Sequence, residues 1–385
     1  MNHTELFPKG FYSCSKNVGI KDDTLDFTVI TSSVRSAAAA MFTKNQFCGA
    51  PITVGRKNIA DGHLQAFVIN SKNANVATGE KGIADVYKIT EAAAAELSIS
   101  AEDILPSSTG IIGVPLPIDK ILKGIPGINN ELQEGGLDQS AKAIMTTDTY
   151  PKIRSYKVGD VTLTGIAKGS GMIEPNMATM LCYFVTDAKI DSDTLNELLK
   201  TAVNQSFNMI SVDGDTSTSD TVAIMANGLA GEPNLEEFSH ALQAMSIELA
   251  KEIARDGEGA TKLVEVNVEG ADDFTTAKSI AKAIVNSPLV KTAIFGQDPN
   301  WGRIISTIGN CETPIDTEAA TISFGNICVY ANSAPILTNQ DALQNYLIEK
   351  EIQINISLGS GSEQVTVWGC DLSYDYVKIN GEYTT

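Results

Sequence analysis

Apolar residues recur along this chain with two periods. Leu235, Phe238, Leu242, Met245, Leu249 and Ile253 are spaced by three and four positions. With Pro233-Asn234 before them and Asp256-Gly257 after, they predict an amphipathic helix. His240 falls within it as a surface residue. An alanine-rich stretch at 83–97 predicts a second helix, and 342–349 a third. Short runs rich in β-branched and aromatic residues predict strands at 25–31, 66–70, 161–166, 322–329, 352–357, 364–368 and 374–379. The run TMLCYFVT at 179–186 is apolar at six successive positions, as in a strand buried on both faces. The pattern is mixed α/β. Gly, Pro and Asn crowd residues 124–138, which marks a surface loop and a candidate domain boundary.

Composition narrows the class. The chain has 385 residues, 43% hydrophobic and 19% charged, as in a compact globular protein. Its 28 Lys+Arg against 47 Asp+Glu give a net charge of −19, which argues against a nucleic-acid partner. No apolar run approaches the roughly 18 residues of a membrane span, and MNHTELFPKG has no signal-peptide pattern, so a cytoplasmic, membrane-free protein is expected. Six cysteines stand singly and only three histidines occur, without CxxC or HExxH, so neither a disulfide framework nor a metal site is expected.

Four segments are polar and glycine-containing beyond what packing demands: SSTGIIG (107–113), KGSGMIEPNMATM (168–180), DGDTSTSDT (213–221) and DGEGATK (256–262). Each alone reads more readily as a turn or a helix end than as a site. The second lacks the order of a phosphate loop and the spacing of a dinucleotide fingerprint. It does place Thr179 after a small residue, Ala178, and a Pro175-Asn176 turn, at the entry to a strand. That context suits a backbone N-to-O acyl shift.

These segments, with NSKNANVATG (70–79), IMTTDTYPK (144–152), NSPLVKTAIFGQDPNWGRI (286–304) and YVKINGEYTT (376–385), resemble the glutamate N-acetyltransferases, or ornithine acetyltransferases, over nearly the whole chain. Lys72, Val76 and Ala77 replace the glycine, alanine and cysteine of many relatives. The resemblance implies an α/β fold of β-sheets sandwiched by helices, similar to the threonine-nucleophile aminopeptidases. It implies self-cleavage between Ala178 and Thr179, giving an α chain of 1–178 and a β chain of 179–385 that form one catalytic unit in an α2β2 assembly.

By the same resemblance, Thr179 is the nucleophile and its freed α-amine the base. Thr109 and Gly110 form the oxyanion hole, and Thr146, Lys168, Thr179, Glu258, Asn380 and Thr385 bind substrate. Acetyl would pass from N2-acetylornithine to glutamate by a ping-pong route, without cofactor or metal. Some members also take acetyl-CoA, a candidate co-substrate here. A threonine-nucleophile aminopeptidase or amidase, and a secondary-metabolism paralogue, remain open as alternatives. The strand expected at 374–379 would anchor the tail that carries Thr385 to the site.

Overall fold

The structure is a computed structural model that describes residues 6–174, 180–312, 315–337, 340–359 and 361–382. Two sheets carry the fold. The first contains β1 (Phe11–Lys16), β2 (Phe27–Phe42), β3 (His63–Asn70), β4 (Ile104–Ser108), β5 (Gln133–Glu134), β6 (Lys152–Val158), β7 (Val161–Lys168), β8 (Leu181–Ala188) and β9 (Thr221–Gly231). Its order is β4-β3-β2-β9-β8-β7-β6, with β1 added to β2 and β5 to β1. The second contains β10 (Leu263–Ala271), β11 (Thr321–Phe324), β12 (Ile327–Ala331), β13 (Ala334–Pro335), β14 (Glu351–Ser357) and β15 (Glu363–Cys370). Its order is β13-β12-β11-β14-β10-β15.

Helices flank both sheets, as the fold expectation held. They are α1 (Ala50–Asn58), α2 (Gly79–Leu97), α3 (Ile118–Gly124), α4 (Ile128–Glu131), α5 (Leu137–Ala143), α6 (Ser192–Asn204), α7 (Leu235–Arg255), α8 (Phe274–Asn286), α9 (Pro288–Phe295), α10 (Trp301–Gly309), α11 (Gln340–Tyr346) and α12 (Tyr374–Glu382). The apolar stripe of α7 is buried at Phe238, Leu242, Met245, Leu249 and Ile253, and joins a core shared by β7, β8, β9 and the second sheet. The Asn234 side chain caps α7 by accepting the Glu236 and Glu237 N–H groups. His240 is exposed on its outer face.

Burial also explains β8. All eight of its residues are buried, because β7 and β9 flank it and a core covers each face. It begins at Leu181, so Thr179 of the expected strand lies outside the described residues.

Three expectations are corrected. Residues 374–379 are not a strand but lie within α12: the Ser373 hydroxyl accepts the Asp375 N–H at 3.1 Å, and the segment buries no residue against a sheet. Residues 124–138 do not divide domains. They hold α4 and β5, with Ile125 and Ile128 in one core and Leu137 in another, and β5 pairs with β1. The run 322–329 is two strands folded back at Gly325, whose φ of +53° is left-handed. β4 stops at Ser108, while β7 stops at Lys168 directly beside Leu181, where its antiparallel neighbour β8 starts.

Candidate active site

Chain geometry at the end of β4 leaves two donors unused. The Thr109 N–H donates to Asn70 O at 3.1 Å and Ile111 N–H to Lys72 O at 3.0 Å. Between them Gly110 takes φ +132°, and a Cβ there would run into the Lys72 carbonyl, so only glycine fits. Among the described residues neither the Gly110 N–H nor the Thr109 hydroxyl has a hydrogen-bond partner. The facing segment is itself bent: Lys72, Asn75 and Ala77 have φ of +79°, +51° and +58°. Two of the departures from the family pattern thus carry side chains on left-handed backbone, a conformation that costs about 1–2 kcal/mol.

Lys168 ends β7 with its side chain buried, and its Nζ donates to Thr146 Oγ1 at 3.1 Å. Burial holds this ammonium below its usual range, while Asp148, Asp220 and Glu258 work the other way. Asp148 organises the surrounding loop. Its Oδ1 accepts from Lys152 Nζ at 2.8 Å and from Gly169 N–H at 2.7 Å, and its Oδ2 accepts the Thr146 N–H at 3.0 Å. Burial alone would raise its pKa, but the Lys152 and Lys168 ammoniums bring it down to about 2. Lys152 also reaches Asp256 Oδ2 at 2.6 Å, and Asp256 accepts the Thr149 N–H at 3.0 Å. This buried network joins IMTTDTYPK, the end of β7 and the end of α7. A cavity of about 880 Å³ opens beside it, lined by Lys21, Lys72, Met145, Thr146 and Asp148 among others.

Two residues after Asp256, the Glu258 N–H donates to Ser170 O at 2.8 Å. Its carboxylate lies where a Cβ on Gly171 would stand, and its Oε2 accepts from Asn380 Nδ2 at 2.7 Å. The last helix is held here from its start. The Ser373 hydroxyl donates to Gly259 O, and Asp371 accepts the Thr261 and Lys262 N–H groups at 2.7 and 3.0 Å. The tail is anchored by side-chain contacts to DGEGATK, in place of the expected strand pairing.

Ala178, Thr179 and Thr385 lie outside the described residues. The chain on either side of the expected break is pinned by DGDTSTSDT. Asp213 accepts the Met172 and Ile173 N–H groups at 2.7 and 2.8 Å, the Glu174 N–H donates to Asp215 O at 3.0 Å, and the Thr221 N–H to Met180 O at 3.1 Å. The Glu174 carboxylate also accepts from Ser211 and Asn286, the first residue of NSPLVKTAIFGQDPNWGRI.

The structure thus brings Lys168 to Thr146 and Glu258 to Asn380, and sets Ser170, two residues after Lys168, against Glu258. Sequence reasoning missed Asp148, Lys152 and Asp256 as the support beneath these residues. Lys152 and Asp148 stood inside a quoted motif, but their burial is a tertiary fact.

A family model described as the ArgJ family matches residues 13–385. The chain belongs to the ArgJ family. Its ArgJ relatives include the arginine biosynthesis bifunctional protein ArgJ 2 of Clostridium acetobutylicum, 52% identical over 381 residues, 98% of each chain. The glutamate N-acetyltransferase Oat2 of Streptomyces clavuligerus is 45% identical over 389 residues, 99% of each. A crystal structure of the arginine biosynthesis bifunctional protein argJ from Bacillus halodurans aligns with a TM-score of 0.50 and 46% identity. That alignment covers 51% of this ArgJ-family chain and 96% of the solved one.

Proposed function

We propose that this protein cuts itself between Ala178 and Thr179 and then moves an acetyl group from N2-acetylornithine to glutamate through an ester on Thr179. The observation that carries the reading is one cavity lined both by Lys72, whose carbonyl abuts Gly110, and by Thr146, which the buried Lys168 contacts, in a chain of the ArgJ family. A solved relative whose single chain corresponds to about half of this one also supports two products of similar size.

The chemistry follows from the residue types. A threonine hydroxyl is a weak nucleophile, but a terminal threonine carries an α-amine that titrates near 7.7–8.0 and acts as its base. Thr179 Oγ attacks the acetyl carbonyl, its proton passes to the amine, and the C–N bond to ornithine breaks as that proton reaches the leaving nitrogen. The Gly110 N–H and the Thr109 hydroxyl are the donors for the oxyanion, since the Thr109 N–H is already engaged. Glutamate's amine then attacks the ester and restores the hydroxyl.

Lys168 pairs with the α-carboxylate of either substrate, aided by Thr146. An arriving anion restores the charge that burial disfavours. Glu258, held by Asn380, takes the side-chain ammonium of ornithine, and Thr385 completes the pocket. We assign the chain to the cytoplasm and its two products to an α2β2 assembly. Among the described residues no helix is long and apolar enough to cross a membrane. The mechanism calls for no cofactor or metal, and acetyl-CoA enters only as an alternative acetyl donor to the same threonine.

An exchange assay with N2-acetylornithine tests the reading. Ornithine release that depends on glutamate and yields N-acetylglutamate supports it, whereas acetate release without glutamate identifies an amidase.

A further inference from the structure

β8 and β9 run parallel, with Leu181 paired to Thr221, and the Thr221 N–H donates to Met180 O at 3.1 Å. Asp220, the residue before Thr221, is 2% exposed. Its carboxyl faces the Met180 N–H, the Ser217 and Thr43 side chains and, from β7, the Lys168 ammonium. Asp148, Lys152, Glu258 and Lys21 are charged groups set around that ammonium. Yet among the described residues Asp220 Oδ2 has no hydrogen-bond partner, and neither does the buried Ser219 Oγ.

A buried carboxyl oxygen without a donor is costly, and such orphans call for an explanation. The explanation lies one residue away along the chain. Met180 follows Thr179, so opening the bond before Thr179 creates a group with three N–H donors next to the residue that Asp220 already touches. We propose that Asp220 is the positioning residue for this new amino group, accepting a hydrogen bond from it at Oδ2 and orienting it as the base for the Thr179 hydroxyl. The inference rests on the reading of Thr179 as nucleophile. In the transfer step the hydroxyl proton moves to the amine, and the Asp220 carboxylate stabilises the ammonium so formed without taking a proton itself. Burial, which pushes the Asp220 carboxyl well above its usual range while it is unpartnered, is offset once the ammonium arrives.

The test uses D220N and D220E in the full chain, with splitting followed by intact mass and acetyl exchange by kcat/KM against pH. D220N is expected to split, to lose about tenfold or more in kcat with KM changed less than about threefold, and to move the acid limb of kcat/KM down by about one pH unit, because an ammonium without its anion is the stronger acid. D220E should return the limb toward the wild-type position. A D220N protein with wild-type kcat and pH profile overturns the proposal, as does one that folds but stays uncut.

Should D220N not fold, carbamylation of the wild-type α-amine by cyanate against pH gives a second reading. The amine should titrate above that of a free peptide beginning TMLCY, and a value at or below the peptide's overturns the proposal. The two levels fail differently: an active, split T179A removes the nucleophile itself, whereas an inert, uncut T179A beside a wild-type-like D220N removes only the role of Asp220.

Discussion

Asn380 Nδ2 donates to Glu258 Oε2 across 2.7 Å, joining residues 122 positions apart in the chain. The last helix of the protein thereby fixes the carboxylate that the account assigns to the ornithine ammonium. Removing the amide leaves Glu258 less well oriented but still charged. N380A should therefore raise KM for N2-acetylornithine about tenfold and change kcat less than about threefold, corresponding to about 1.5 kcal/mol for a hydrogen bond to a charged group. Steady-state kinetics at saturating glutamate check this, and a fall in kcat at constant KM would contradict the assignment.

Gly110 makes a different prediction, because its demand is steric. At φ +132° and against the Lys72 carbonyl, an added methyl must push the backbone away. G110A should lower kcat by about 10²–10³, the usual consequence of displacing one oxyanion donor, while the two sheets stay folded. Circular dichroism and thermal melting separate this outcome from simple unfolding. Near-wild-type kcat in G110A would remove the Gly110 N–H from the oxyanion site.

The Asp148–Lys152–Asp256 network sets the acid stability. Lys152 is fully buried between the two carboxylates, so K152M leaves uncompensated charges and should cost about 3–5 kcal/mol, read by denaturant unfolding. Asp148 is depressed from 3.8 to about 2, so the unfolded chain binds its proton first as pH falls. Its contribution, about 2 kcal/mol, is complete above about pH 4 and is lost as the pH drops through 2. D148N should flatten that limb of the stability curve, and an unchanged limb would exclude Asp148 as its source.

What was legible in the sequence follows from periodicity. The helix at α7 and the doubly buried β8 announce themselves because their apolar spacing mirrors the surfaces they bury. The segment YVKIN misleads for the opposite reason: its aromatic and β-branched residues favour a strand, but burial decides such preferences, and α12 buries nothing. The site is legible as motifs, since Thr109, Gly110, Lys168, Glu258 and Asn380 each sit in a recognisable stretch. Their support is not. That Asp148 holds the Thr146 and Gly169 N–H groups, or that Asp220 meets Met180, arises only when separate strands are brought side by side.

The proposed function requires Thr179 to act first as the point of chain opening and then as the acetyl carrier. Replacing it with alanine and recording intact mass together with glutamate-dependent ornithine release tests both at once. One uncut chain with no acetyl exchange above background is the expected outcome. A T179A protein that separates into fragments of 178 and 207 residues and transfers acetyl at the wild-type rate would contradict it.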